Sequence, residues 1–303
     1  MPNVSDGRSR TLLNRLSRVL EESGAELLDS QSDPDHNRSV FTLAGPLSQV
    51  EAAILSVAEL AVSHIDLTRH RGAHPRIGAL DVVPVVPIDD VPHDVCVEAA
   101  RSIGERLWDE LNVPVYFYGE AARREGRRRL ETFRRHGFER LASMVRSGVC
   151  VPDVGGPDLH PTAGACCVGV REFIAAFNVL LDDRDAKAAK RIASVVRESD
   201  GGIEGVKALG LYLASAQVAQ VSMNLTDLGK TPLPVAFHAV CREARKLGVP
   251  VLGSELVGLV PRHALGPNPT GLRIRRFHSG MVFEDRLEGI RRRGNPEGHG
   301  DVR

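Results

Sequence analysis

From Phe173 to Gly253 the apolar residues fall into six successive segments, in the order strand, helix, strand, strand, helix, strand. That order constrains the fold more tightly than any single motif. Phe173-Ile-Ala-Ala-Phe-Asn-Val-Leu-Leu181 is a continuous apolar run of strand length, and a helical period follows from about Ala186 to Arg197. Strand patterns return near Gly205 to Leu213 and Val218 to Leu225. A helix from Leu233 to Leu247 and the run Val249-Pro-Val-Leu-Gly253 complete the set. Each helix has an apolar stripe to cover, and a sheet made by the four strands offers the face that covers it. The order β-α-β-β-α-β predicts a layered α/β (α+β) unit.

The first half carries a similar signature. Thr11 to Leu20 has helical spacing, Ala25 to Leu28 and Ser39 to Leu43 read as short strands, and Leu47 to Val62 is a helix introduced by Gly45-Pro46. Leu80 to Val86 is an apolar strand, followed by a helix from about Val91 to Glu110 and the strand Val113 to Tyr118. The first five of these elements run α-β-β-α-β, the same pattern without its opening strand. Two ferredoxin-like subdomains are expected, the first lacking that strand. Their predicted bounds are 1–170 and 171–290, with a disordered tail over 291–303. The stretch after Pro261 is expected to hold one short strand. Gly119 to Gly148 is arginine-rich and reads as a helical connection, and Gly155 to Gly164 is turn chemistry without periodicity.

At 303 residues, two domains can each bury a core. The 39 Lys and Arg balance the 39 Asp and Glu, and aromatics make up 4%, so nothing points to nucleic acid as a partner. No apolar stretch approaches the length of a membrane span, and the N-terminus lacks a signal-peptide apolar region. Five cysteines without C-x-x-C argue for reduced thiols and a cytoplasmic protein. Arg123, Arg124, Arg127, Arg128 and Arg129 are diluted by Glu125 and Glu131 and read as a solvated helix face.

Chemistry concentrates between His64 and Pro87. His74 lies between Gly72 and Pro75, where no helix continues, with Arg69 and Arg76 nearby and a buried strand directly after. An imidazole on irregular backbone held by a rigid element suits a general acid. Neighbouring cations would lower its pKa, whereas Asp66 or Asp81 would raise it, and the sequence leaves that balance open. A zinc pair at His70 and His74 would need a helix that Gly72 and Pro75 disfavour, so no metal is expected.

Separate blocks carry a family resemblance. They are Pro2-Asn-Val-Ser-Asp-Gly7, Asp33-Pro-Asp-His-Asn-Arg-Ser-Val40, His64 to Pro87 and Tyr118-Gly-Glu-Ala-Ala122. Further on come Pro161-Thr-Ala-Gly164, Val168-Gly-Val-Arg171, Val221-Ser-Met-Asn-Leu225 and Gly253-Ser-Glu-Leu-Val-Gly-Leu-Val-Pro261. In order and spacing they resemble the formiminotransferase domain of the formiminotransferase-cyclodeaminase family. The resemblance implies transfer of the formimino group from N-formimino-L-glutamate to N5 of tetrahydrofolate, in histidine degradation. It also implies sheets facing a folate tunnel, tetrahydrofolate as co-substrate and a homodimer.

Residue by residue, the resemblance makes His74 catalytic. It assigns folate to the loop Gly155, Gly156, Pro157, Asp158, Leu159, His160, Pro161, Thr162, Ala163 and Gly164, and to Gly201. Arg76, Arg69, Asn37, Arg38 and Asn3 are candidates for positioning substrate. Gln31 stands where the family carries a carboxylate, with Asp29 and Asp33 as possible substitutes. Alternative readings are a folate-binding or regulatory protein without transfer activity, and a glutamate formyltransferase using 5-formyl-tetrahydrofolate.

Overall fold

A computed structural model of the chain describes residues 1–89 and 91–294 and divides into two units, Met1–Arg171 and Glu172–Arg303. The first unit runs β1 (Asn3–Val4), α1 (Arg10–Glu22), β2 (Glu26–Asp33), β3 (Arg38–Ala44), α2 (Leu47–His64) and β4 (Leu80–Val85). It continues with α3 (His93–Leu111), β5 (Val115–Gly119), α4 (Glu131–Arg134), α5 (Gly137–Arg146) and β6 (Cys166–Val170). The six strands form one sheet in the order β2-β3-β1-β4-β6-β5.

The opening strand expected to be missing is present. Asn3–Val4 lies between β3 and β4, antiparallel to both, with Asn3 opposite Val40 and Val82. Flanking residues extend the ladder: Phe41 N–H donates to Pro2 O at 3.0 Å and Ser5 N–H to Ala79 O at 2.8 Å. Two paired residues are too few to show an apolar period, which is why the pattern hid them. β6 was also not anticipated. Cys166-Cys-Val-Gly-Val170 is buried throughout and pairs in parallel with both β4 and β5. A run buried on both faces shows no alternation.

Local rules account for the helices. Ser9 caps α1 by accepting from Leu12 N–H, and Leu12, Leu16 and Leu20 present one buried stripe at i, i+4 spacing. α3 stops at Asn112, whose left-handed φ of 56° suits asparagine. The arginine-rich connection contains short helices as expected, but Arg127 is not solvated. Its guanidinium is buried, pairs with Asp153 at 2.7 Å and lies over the Tyr116 and Phe133 rings.

The second unit runs β7 (Ala175–Leu181), α6 (Lys187–Val196), β8 (Val206–Leu213), β9 (Val218–Leu225), α7 (Leu233–Lys246), β10 (Val251–Val257) and α8 (Phe283–Gly294). Its sheet order is β10-β7-β9-β8, with every neighbouring pair antiparallel. Phe177, Val179, Val221 and Met223 pack with Ile192 and Val196 of α6 and Phe237 and Val240 of α7 in one core. The sequence-predicted alternation is therefore realised here element by element. The strand expected after Pro261 is not formed among the described residues. Short 3₁₀ turns and α8 replace it, with single bridges Ser254–Ile274 and Val260–Val282. Of the expected disordered tail, residues 291–294 are helical and 295–303 lie outside the described residues.

Candidate active site

His74 sits on the segment 65–79 that joins α2 to β4, and that segment is fixed from two sides. Leu67 N–H donates to Thr162 O at 2.8 Å, Ala79 N–H to Ala163 O at 2.8 Å, and Ala73 N–H to Asp35 O at 3.1 Å. Gly72 passes so close to the 33–37 turn that a Cβ there would lie 2.3 Å from His36 O, which requires glycine. The loop is held rigid where its imidazole must be placed.

Two guanidiniums flank the ring. Arg38 Nη1, from the start of β3, lies 3.2 Å from His74 Nε2, and Arg134 Nη2, from α4, lies 3.1 Å from Nδ1. Pro75 O is 2.9 Å from Nδ1, and the His36 ring stands edge-on with centroids 6.0 Å apart. Arg38 Nη2 also donates to Asn3 Oδ1. The Asp81 carboxylate, 1% exposed, pairs through Oδ2 with Arg134 Nη2 at 2.6 Å. Asp81 Oδ1 accepts from Ile77 N–H at 2.7 Å and Gly78 N–H at 3.2 Å.

The balance left open by the sequence is settled in favour of the cations. Burial, then Arg134 and Arg38, hold the His74 imidazole well below its ordinary range, against a smaller opposing effect of Pro75 O. At neutral pH the ring is neutral and ready to accept a proton. It acts as an acid only after taking one up. Burial, with Arg134 beside it, also pulls Arg38 below the usual arginine range, and Asp81 opposes this. Asp66 is engaged with Thr68 instead, through 2.9 and 2.6 Å hydrogen bonds.

The other candidates separate by position. Asn3 and Arg38 join His74 in the site. Asn37 adopts a left-handed φ of 50° and commits its side chain to Gly7 N–H at 3.0 Å and Arg71 O at 2.9 Å, so it shapes the turn. Arg76 pairs with Glu139 of α5 at 2.8 and 3.1 Å and donates to His70 Nδ1 at 3.2 Å. Arg69 is exposed and not gathered with them. His70 Nε2 faces Asn37 O at 3.1 Å, so both its ring nitrogens have protein partners away from His74. Gln31 pairs in register with Val40, on the sheet face that carries Asn3 and Arg38, and Asp33 lies opposite Arg38. Arg134 was missed, because an arginine within an arginine-rich helical stretch has no local signal; Asp81 entered only as a neighbouring charge.

The Arg76–Glu139 clamp yields a modest prediction. The hydrogen bond from Arg76 holds the Glu139 carboxyl at about 2, although its side chain is 62% exposed. A depressed carboxyl contributes stability above its unfolded pKa and loses it as pH falls through the folded value, here from about 4.5 toward 2. Glu139→Gln is expected to cost less than about 1 kcal/mol at pH 7 after solvent screening. Urea denaturation at pH 7 and pH 3 checks this, and the difference between the proteins should shrink at the lower pH.

The loop 155–164 is built into the same unit. Gly164 has φ +73°, and its N–H and C=O pair with His160 O and N–H at 3.0 and 2.9 Å. Gly155 packs on Trp108, where a Cβ would meet the indole at 2.4 Å. Leu159, His160, Pro161 and Asp158 line a cavity of about 350 Å³ with Phe138, Ala142 and Arg146 of α5. Gly201 belongs to the second unit, where it closes the turn after Glu198–Asp200 with φ +87°.

Guanidiniums flanking a neutral imidazole define a class of site whose chemistry suits binding an anion and exchanging a proton. The comparisons specify it further. Residues 1–171 match the model of the formiminotransferase domain, N-terminal subdomain, and residues 176–268 match that of the formiminotransferase domain. The chain is 39% identical to a glutamate formimidoyltransferase of Thermoplasma acidophilum, over 95% of this chain and 96% of that protein. It is 40% identical to the Streptococcus pyogenes enzyme of the same name, over 88% and 89% respectively. With the formimidoyltransferase-cyclodeaminase of Sus scrofa it shares 42% identity over 88% of this chain, and it spans about half that protein's length. The chain belongs to the formiminotransferase family.

Proposed function

We propose that this chain is a glutamate formimidoyltransferase, moving the formimino group of N-formimino-L-glutamate to N5 of tetrahydrofolate. The observation that carries the reading is the neutral His74 imidazole set between Arg38 and Arg134. The two substrate carboxylates are anions that these guanidiniums recognise by charge-assisted hydrogen bonds. Attack of N5 on the formimino carbon leaves a proton on N5, and His74 accepts it. As the adduct collapses, the same imidazole returns the proton to the departing glutamate nitrogen, which cannot leave as an anion at neutral pH. Net proton count is unchanged, and both transfers are assigned to one side chain without a metal.

In the same reading the loop Gly155–Gly164 and Gly201 contact folate, and Arg38 with Asn3 positions the substrate. Both units are then ferredoxin-like, which their strand orders support; the folate tunnel and the homodimer follow from the resemblance, and the cytoplasmic location from the five cysteines without C-x-x-C. Among the described residues no helix is long and apolar enough to cross a membrane.

A steady-state assay with formiminoglutamate and tetrahydrofolate tests the proposal. Folate binding without turnover in a well-folded sample would count against it. The pH profile is a second test. His74 must start neutral, so kcat/KM should stay level from pH 8 down to about 6.5 and fall only below that. Bound carboxylates offset the guanidinium charge and raise the His74 pKa in the complex, so the acid limb of kcat should lie at higher pH than that of kcat/KM. The reverse order of the two limbs would contradict the charge balance described here.

A further inference from the structure

The geometry points to Asp81 as a positioning residue that governs His74 through Arg134. This inference rests on the proposed role of His74 and deepens it. One buried carboxylate holds both components of the His74 environment. Its Oδ1 anchors the Ile77 and Gly78 amides of the loop that carries the ring, at 2.7 and 3.2 Å. Its Oδ2 holds Arg134 Nη2 at 2.6 Å, and that same nitrogen lies 3.1 Å from His74 Nδ1.

The side chains of Asp81 and Arg134 are 2% and 13% exposed, so water screens their pairing little. An unpaired guanidinium here would be costly, because Arg38 is a second buried cation on the other side of the same ring. Asp81 therefore permits Arg134 to stay beside His74. Also facing the ring are His36, edge-on from the 33–37 turn, and the Pro75 carbonyl. Asp33 is engaged with His36 at 2.8 Å. Asp81 is thus the carboxylate that joins the loop and the guanidinium in one structure.

The test is an NMR titration of the His74 ring, without substrate, in the parent chain, Asp81→Asn, Arg134→Gln and the double variant, with kcat and KM measured alongside. Asparagine keeps an acceptor for the two amides and removes the charge. Arg134→Gln removes a cation, so the His74 pKa should rise by at least about half a pH unit. Asp81→Asn frees Arg134 to leave the ring, which should raise the His74 pKa despite the opposing loss of the carboxylate, and should lower kcat about tenfold or more, with KM for formiminoglutamate moving less. In the Arg134→Gln background no guanidinium is left to displace, so Asp81→Asn should lose the upward shift and leave only the downward effect of removing the carboxylate. An unchanged titration in Asp81→Asn, or an equal change in both backgrounds, overturns the inference. Should Asp81→Asn fold poorly, Arg134→Gln leaves the loop anchors intact, and an unmoved His74 there overturns it as well. The titration needs no turnover, so failure of the parent chain to transfer the formimino group sinks the proposed function and leaves this result separately readable.

Discussion

Replacing His74 with alanine is expected to lower kcat by about 10²- to 10⁴-fold, the range for loss of a general acid-base group. The physical reason is that one imidazole serves both proton transfers. Without it, the adduct must exchange protons with water while its glutamate nitrogen remains a poor leaving group. Arg38 and Arg134 stay in place, since each has a second partner, Asn3 and Asp81 respectively. Substrate carboxylates keep their guanidiniums, so KM for formiminoglutamate should move by less than about threefold and kcat/KM should fall in parallel with kcat. Folate affinity, measured by calorimetry, should be close to that of the parent chain. Near-normal turnover in this variant would remove His74 from the mechanism.

The largest expected loss of stability is at Gly164. A Cβ there would lie 2.0 Å from Ile77 O and 2.8 Å from the Leu67 side chain, on backbone with φ +73°. Left-handed backbone alone costs an alanine about 1–2 kcal/mol. The clash is with backbone that must shift, which adds about 1–3 kcal/mol. Gly148 provides the control, because it has the same φ of +73° and open space around the added atom. Gly164→Ala should therefore melt several degrees below Gly148→Ala, followed through Trp108, the single tryptophan. Activity of Gly164→Ala should also fall, because Ile77 and Gly78 belong to the segment that carries His74. Equal melting temperatures would show that the loop accommodates the added methyl group.

These two sites differ in how legible they were. His74 stood out because glycine and proline bracket it and a buried strand follows, all of which are local features. Gly164 was visible as a turn residue, yet its necessity comes from Ile77, far away in sequence. Arg134 had no signal at all. It resembles the solvent-facing arginines around it, and only the fold brings α4 against the His74 ring. Arg127 shows the same limit in the opposite direction, since membership of a charged cluster hid a buried ion pair with Asp153. Asn3–Val4 was missed for a different reason. A strand of two residues is specified by its neighbours' hydrogen-bonding edges, and its own side chains carry too little pattern to reveal it.

The sequence by itself determined the alternation of helices and strands, the place of the titratable loop and the family, because period, turn chemistry and motif order are written in neighbouring residues. Only the tertiary structure decided that His74 is neutral, which arginines surround it and which carboxylate holds them. Those outcomes depend on burial and on charges brought within about 3 Å from separate elements, where Coulomb energies vary most steeply with position.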